Sequence, residues 1–557
     1  MTPPVKAHAA HAGLTSQRSE FFSERFLQHH PVPAYVRGMG RKTLQVMKFG
    51  GTSVGDAACI EQVVEIIRTA SGESDVVVVV SAMSGVTNKL IAAASQSEAG
   101  SYEPIGAILR ELRERHDTAA SALIRSDAER SRIGRKMEEL FQAGERLCQG
   151  TILLRELTPR TRDSISSLGE RLSVLLVAAA LAERGMASLP IEATELVVTD
   201  ACHGGADPCM DPTRERCEAR LRPLLQQGIV PVVTGFIGAT ADGILTTLGR
   251  GGSDYSATIL GAVLEADEVI IWTDVEGLQT ADPRLVPEAR TIPHISYREA
   301  AELAYFGAKV LHPKTLRAVM QCGIPLWIRN TFAPERMGTK ITPVGPPRAA
   351  GMKALTATSD VAMITVGGPG LSGIPDVLGR IFRITAAVRA DVLLISQASS
   401  QNDLCLVVPS AAAKSALQAL RHEFAHDLEH ESTEHISLDA AIAMVTVVGQ
   451  NMRATPEIVG RTFAAMGREK VNILAIAQSA SECTSSFVVA KRDMKAALAG
   501  IHGEFQLGIA LHRHIADRIA DDEEPHQNCK NSSQEPNDRS VSPDRCLTSS
   551  YGKETTP

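Results

Sequence analysis

"VMKFGGTSVGD", residues 46–56, sets the reading of the chain. Lys48 ends a short apolar run; Gly50 and Gly51 follow, then Thr52 and Ser53. Glycine removes the side chain where backbone must come close to something. The N–H groups of such a loop, opening onto a helix, attract anions. Downstream, Ile60, Val63, Val64, Ile66 and Ile67 recur at helical spacing. The local reading is strand, glycine loop, helix. By itself the stretch serves equally as a phosphate cradle or as an ordinary βα turn. It is not the common nucleotide loop, because GxxxxGK(S/T) does not occur in the sequence.

Around that loop, apolar runs alternate with helical patterns from Thr43 to about Asn330. The runs include Leu44–Phe49, Val76–Ser81, Val230–Gly235 and Val269–Thr273; the helices include Arg171–Arg184 and Ser256–Ala266. This alternation predicts an α/β domain with a mainly parallel central sheet. Ligands of such sheets bind beyond the carboxyl ends of the strands, and the glycine-rich and polar motifs here follow strands. Val76–Val80, all valine, reads as a strand buried on both faces. Residues 103–150 are charged and helical, which predicts an inserted helical hairpin.

A length of 557 residues predicts several domains. The net charge of −7 and the 4% aromatic content argue against a nucleic-acid partner. No apolar run reaches the ~20 residues of a membrane span, so no membrane association is expected. Ten scattered cysteines without a CxxC pair predict reduced thiols and a cytoplasmic location. Cys202, His203, Cys209 and Cys217 are neighbours, but their spacings fit no common zinc pattern. Residues 1–42 mix basic residues with Glu20 and Glu24 and have no apolar core, unlike a secretory signal. They read as a disordered extension or as an organelle transit segment. From residue 513 the tail reads as disordered.

Pro343, Pro346 and Pro347 mark a linker, placed at 336–353 after a catalytic domain at 43–335. Beyond it, "GRIFRITAAVRADVLLISQASSQNDLCLVV" (379–408) lies on "GRTFAAMGREKVNILAIAQSASECTSSFVV" (460–489) without a gap, at a constant offset of 81. Gly379/Gly460, Arg380/Arg461, Phe382/Phe463, Ile395/Ile476 and Gln397/Gln478 coincide. A fixed offset predicts two copies of one unit, placed at 354–435 and 436–512.

Six stretches converge: "KFGGTSVG" (48–55), "SAMSGVTN" (81–88), "SLGERLS" (167–173), "TTLGRGGSDYSA" (246–257), "WTDVEGLQTADPR" (272–284) and "YFGAKVLHPKTL" (305–316). Each alone is turn chemistry; in this order they resemble the aspartokinases of the amino-acid kinase family, over roughly 44–510. The resemblance implies a three-layer α/β/α kinase domain followed by two ferredoxin-like (βαββαβ) ACT units. It also implies phosphoryl transfer from ATP, with Mg²⁺, to the side-chain carboxylate of L-aspartate. Such a nucleophile has a pKa of about 4 and needs no general base. The protein must instead hold two anions together and neutralise the transferred charge.

By that resemblance Lys48, Asp254 and Lys309 are catalytic. Lys48 and Lys309 contact the phosphates, and Asp254 orients the lysines. Gly50, Gly51 and Ser53 shape the loop, and Thr273, Asp274 and Arg284 complete the nucleotide side. Ser81, Thr87, Glu170, Phe236, Arg250 and Ser253 correspond to aspartate positions. Arg250 offers a planar fork for the α-carboxylate, and Glu170 a charge for the ammonium. Structurally, Glu170 and Arg171 also read as a helix-start pair with Ser167 as cap, and Lys48 as a strand-end lysine that contributes little to the core.

"LISQASS" and "AIAQSAS" are similar to threonine-sensing units, which implies effector binding at Ile395, Gln397, Ile476 and Gln478, with threonine ahead of lysine. A polar turn satisfying its own backbone is the other reading. Paired regulatory units imply a homodimer or higher homo-oligomer. Glutamate or acetylglutamate kinases of the same family, or a non-catalytic amino-acid sensor, are the alternatives.

Overall fold

A computed structural model describes residues 42–306, 311–345, 351–367, 374–397, 403–429, 435–450, 452, 455–479 and 483–508. The expectations for Lys309, for the N-terminal extension up to residue 41 and for the tail after 513 lie outside the described residues. The chain divides into two compact units. One runs to Leu278 and resumes over Thr291–Ala350; the other joins Gln279–Arg290 to the chain from Gly351.

The first unit contains, in order, β1 (Thr43–Phe49), α1 (Ala57–Ser71), β2 (Ser74–Val80), α2 (Val86–Glu98), α3 (Glu103–Leu123), α4 (Asp127–Leu154), α5 (Pro159–Ser166), α6 (Leu168–Glu183), β3 (Ser188–Ile191), β4 (Val198–Thr199), α7 (Met210–Gln226), β5 (Val230–Thr234), β6 (Ile237–Thr240), β7 (Leu245–Thr247), α8 (Gly252–Val263), β8 (Glu268–Thr273), β9 (His294–Ser296), α9 (Tyr297–Tyr305), α10 (Pro313–Cys322), β10 (Leu326–Asn330) and β11 (Thr339–Thr342). An eight-stranded sheet runs β3-β5-β2-β1-β8-β10-β11-β9, with only the β10–β11 pairing antiparallel. A small second sheet, β4-β6-β7, stands beside it. The expected mainly parallel α/β domain is therefore present.

Side-chain alternation along β1 decides what each face carries. Met47 and Phe49 pack with Val78, Val80, Ile270 and Trp272 against α1 and α6, and Phe49 stacks on Trp272 at 6.1 Å. Lys48 alternates to the other face, where α8 crosses β1. The valines of β2 are fully buried, as five β-branched residues between helical layers should be. Segment Pro159–Glu183 is long and apolar enough to cross a membrane, but it is almost wholly buried inside the fold. It is wrapped by the sheet and by α2, α3 and α4, which accounts for its apolarity on every side. The predicted helical hairpin is α3 and α4, clasped by Arg113–Glu138 at 2.7 Å and by His116 against the edge of Phe141 at 5.9 Å.

Ser167 does not cap α6. Its backbone is helical, its hydroxyl donates to Ser164 O at 2.8 Å, and α5 runs almost directly into α6. Arg171 pairs with Glu192 at 2.8 Å rather than with Glu170.

The second unit contains β12 (Gly351–Thr358), β13 (Val361–Gly367), α11 (Ile374–Ala387), β14 (Leu394–Gln397), β15 (Asp403–Pro409), α12 (Ser410–Glu423), α13 (Ala425–Glu429), β16 (His435–Asp439), β17 (Ile442–Gln450), α14 (Pro456–Arg468), β18 (Ile473–Gln478), β19 (Thr484–Ala490) and α15 (Met494–Glu504). Two antiparallel sheets result, β14-β15-β13-β16 and β12-β17-β19-β18. The first is a βαββαβ unit. Among the described residues the second has no strand after α15, and β12 lies beside β17.

Contiguous boundaries at 354–435 and 436–512 therefore do not follow the sheets. β12 precedes one unit and belongs to the other, and β16 closes the first. Nor is 336–353 simply a linker, since β11 is part of the large sheet. Residues Gln279–Arg290, placed by sequence in the catalytic domain, pack with the second regulatory unit. Leu355 N–H donates to Thr280 O at 2.7 Å, and Ala281 and Val286 join the core under β17 and α15.

The repeat has a physical basis. Arg380 lies over the Phe424 ring at 4.1 Å and donates to Glu423 O at 2.8 Å. Its counterpart Arg461 lies over Phe505 at 4.4 Å and donates to Glu504 O at 2.6 Å. In each copy one guanidinium closes the end of the second helix.

Candidate active site

The site lies at the carboxyl ends of β1, β2, β5 and β8. At the end of β1, Lys48 is 8% exposed, and its Nζ stands 2.5 Å from Asp254 Oδ1 in the first turn of α8. A Cβ on Gly50 would stand 3.4 Å from that ammonium, so the glycine keeps the space over it clear. Gly51 serves close approach: a Cβ there would meet Ala82 O at 2.8 Å. Ser84 N–H donates to Gly51 O at 3.0 Å, which joins the loops after β1 and β2.

Ser53 is fully buried. It shares a 2.7 Å hydrogen bond with Thr331 and reaches Trp272 O at 3.4 Å, so its hydroxyl holds the loop and is not offered to solvent. Thr331 N–H in turn donates to Thr273 O at 2.8 Å, and Thr273 Oγ1 donates to Asp274 Oδ1 at 3.2 Å. Thr273, Asp274 and the glycine loop thus share one end of the sheet.

On the opposite flank, Glu170 is 3% exposed and accepts the Ala82 N–H at 3.2 Å. Its other oxygen is buried without a hydrogen-bond partner. Burial pushes this carboxyl up to about 8, against the Ala82 N–H and the charge of Lys48. Gly169 beside it is needed because a Cβ would stand 2.5 Å from that of Ala82.

Phe236 has a positive φ of 70° and donates its N–H to Ser256 Oγ at 2.9 Å. Gly235 lies so close to Ser253 that a Cβ would meet Ser253 Cβ at 2.6 Å. Ser81, at the mouth of β2, donates its N–H to Phe49 O at 3.1 Å, and Thr87 sits in the first turn of α2. Arg250 is exposed on the turn before α8. His312 is the N-cap of α10; burial first, then the charges of Lys314 and Arg250, hold its imidazole below the usual range, against the pull of Asp254.

The structure therefore gathers Lys48, Gly50, Gly51, Ser53, Asp254, Ser253, Phe236, Glu170, Ser81, Thr273 and Asp274 around the same strand ends. Arg284 sits on the Gln279–Arg290 excursion of the second unit, paired with Asp282 at 2.6 Å. Sequence reasoning missed Arg115 of α3, which donates to Ser84 O and Gly55 O, both at 2.7 Å, and so staples the two loops from behind. No local signal marks it. Among the described residues no group of three or more His, Cys, Asp or Glu side chains is placed to hold a metal ion.

In the second unit Ile395 and Gln397 lie on β14, and Ile476 and Gln478 on β18. These are the outer strands of the two sheets and they adjoin each other; both glutamines are exposed.

The amino acid kinase family matches residues 43–330, and the ACT domain matches 364–424 and 445–505. "Aspartokinase 1, chloroplastic" of Arabidopsis thaliana is 32% identical over 471 residues, covering 83% of this chain and 80% of that protein. The chain belongs to the aspartokinase family. A bifunctional aspartokinase/homoserine dehydrogenase of Daucus carota is 34% identical over 472 residues, which is 83% of this chain and 50% of that protein. The chain spans about half the length of such bifunctional relatives. Among solved structures, E. coli aspartokinase III in complex with aspartate and ADP (R-state) is 28% identical with a TM-score of 0.70, covering 83% of this chain and 99% of that one. The same enzyme with lysine and aspartate (T-state) is 29% identical with a TM-score of 0.69. Along the chain the kinase match precedes the two ACT matches.

Proposed function

We propose that this chain transfers the γ-phosphoryl group of ATP to the β-carboxylate of L-aspartate, giving 4-phospho-L-aspartate, the first step toward lysine, threonine and methionine. What supports this most is the meeting of Lys48, Asp254, Ser253 and Glu170, remote in sequence, at one end of the sheet. Gly50 places no side chain beside the Lys48 ammonium, which suits the approach of a phosphate. Lys48 neutralises charge on the transferred group, and Asp254 holds its ammonium in place. Arg250, exposed and without an acidic partner within 4 Å among the described residues, takes the α-carboxylate. The unpartnered Glu170 oxygen takes the ammonium. Mg²⁺ arrives on the nucleotide, held by phosphates and water with at most one or two carboxylates; Asp274, exposed at the end of β8, is the nearest such group by position. Lys309 is a second phosphate ligand in this reading. Arg284 is a further nucleotide ligand in the same reading.

Feedback control by an amino acid belongs to the same proposal. The duplicated glutamines Gln397 and Gln478 on adjoining strands fit an effector with its own donors and acceptors, threonine first and lysine second. Association of regulatory units into a homodimer or higher homo-oligomer fits those exposed outer strands. The eight described cysteines are all free, which supports a reducing, cytoplasmic setting.

An ADP-release assay tests the reaction with aspartate, glutamate and acetylglutamate in parallel, then with threonine, lysine and methionine added singly. Turnover on aspartate alone, depressed by threonine, is expected. Preference for glutamate or acetylglutamate refutes the substrate, and no turnover on any of them favours a sensor.

A further inference from the structure

Asp163, on α5, is not among the motif residues, yet its side chain is 3% exposed and surrounded by donors. Its Oδ1 accepts from Thr247 Oγ1 at 2.6 Å. Its Oδ2 accepts from Gly204 N–H and His203 Nδ1, both at 3.0 Å, and from Thr247 N–H at 3.3 Å. A carboxylate is acceptor-only, which suits four converging donors. One side chain thus ties together α5, the 202–205 loop and β7.

That junction supports the turn carrying Arg250. Gly249 has φ 77°, and a Cβ on it would stand 3.0 Å from Gly204 O and 3.2 Å from Gly205 Cα. The turn therefore rests on the backbone that Asp163 holds. Two residues before the turn Thr247 is fixed by the same carboxylate, and Ala206 N–H closes the junction by donating to Thr247 O at 2.8 Å. Arg250 follows directly, and Ser253 and Asp254 lie in the helical turn after it.

We propose that Asp163 is a positioning residue for the Arg250 turn, setting where that guanidinium meets the α-carboxylate of the amino-acid substrate. This rests on the reading of Arg250 given above. It acts through backbone placement, so losing it shifts Arg250 while leaving the Lys48 end of the site in place. Misplacement of a binding group by about 1 Å costs up to ~100-fold.

The test is steady-state kinetics on the full chain, varying aspartate and ATP separately. Asp163→Asn keeps the size but turns an NH₂ toward donors. It should raise KM for aspartate about tenfold or more, with KM for ATP near the wild-type value. Thr247→Val, which removes one of the four bonds, should move KM for aspartate the same way, and Thr247→Ser should restore it. Thr247→Val decides the matter if Asp163→Asn does not fold. Adding Asp163→Asn to Arg250→Ala should raise KM for aspartate no further. If Arg250→Ala itself leaves KM for aspartate unchanged, the reading of Arg250 fails, and this inference with it. If Arg250→Ala raises KM but Asp163→Asn and Thr247→Val do not, the positioning role alone is overturned. Equal rises in both KM values, or full additivity with Arg250→Ala, also overturn it, since both describe general loosening.

Discussion

Lys48 Nζ and Asp254 Oδ1 stand 2.5 Å apart, joining the end of the central strand to the first turn of α8. Both groups are largely withdrawn from solvent: the side chains are 10% and 14% exposed. The expectation that Lys48 contributes little to the fold is therefore corrected, because removing it strands a buried carboxylate. Lys48→Met should lower kcat by about 10³-fold or more and destabilise the kinase unit. Asp254→Asn should also destabilise it, and the double variant should recover about 2 kcal/mol of the summed loss. Urea unfolding followed by tryptophan fluorescence measures this, because both tryptophans, Trp272 and Trp327, lie in the large sheet. Strict additivity would contradict the pair.

Glu170 gives a pH prediction. Its carboxyl is raised to about 8 by burial in the unliganded protein, whereas a substrate ammonium pairs with the ionised form. Binding aspartate must then release a proton, so kcat/KM for aspartate should rise with pH toward about 8. Glu170→Gln should remove that limb and lower kcat/KM by about 100-fold. Folding has the opposite sign. A carboxyl with a raised folded pKa stabilises the fold below its unfolded value, about 4.5, and this contribution is lost as pH climbs through about 8.

His116 is fully buried in the helical hairpin, with Nδ1 on Leu112 O at 2.7 Å, and burial lowers it to about 4. The unfolded chain binds its proton near 6.5, so the folded form gains stability above that pH and loses it as pH falls from about 6.5 toward 4. The full loss is about 3 kcal/mol. Protection factors over 103–154, which correct for the slower intrinsic exchange at lower pH, should fall between pH 7 and 5, and His116→Phe should flatten that trend.

Gly51→Ala should pry the loops after β1 and β2 apart, because the new Cβ would meet a backbone oxygen at 2.8 Å, not a side chain that can swing away. A fall of about 100-fold in kcat/KM, with about 1–3 kcal/mol of destabilisation, is expected. An unchanged rate would show that the joined loops are not part of the machinery.

How much of this was legible depends on the reach of each signal. Gly51 is readable because close approach leaves a mark at the position itself: a Cβ there would meet backbone at 2.8 Å. The offset of 81 is readable because the same clasp, Arg380 with Phe424 and Arg461 with Phe505, was needed twice. Asp163 and Arg115 leave no such mark. One is a buried acceptor and the other a surface-helix cation, and only their distant partners define what they do. The sheet to which β12 belongs is equally hidden, since an alternating strand looks the same whichever neighbour it joins.

That placement of β12 bears on how the chain is made. As the polypeptide leaves the ribosome, β12 emerges before an entire regulatory unit has been translated and finds its partner β17 only afterwards. Its apolar side chains, Met352, Ala354 and Leu355, are buried in the finished protein, but during that interval only the Gln279–Arg290 segment, and not β17 or α15, is there to cover them. A nascent chain stalled anywhere between residues 359 and 441 therefore carries an orphan strand, and it is there that a chaperone would have most to do.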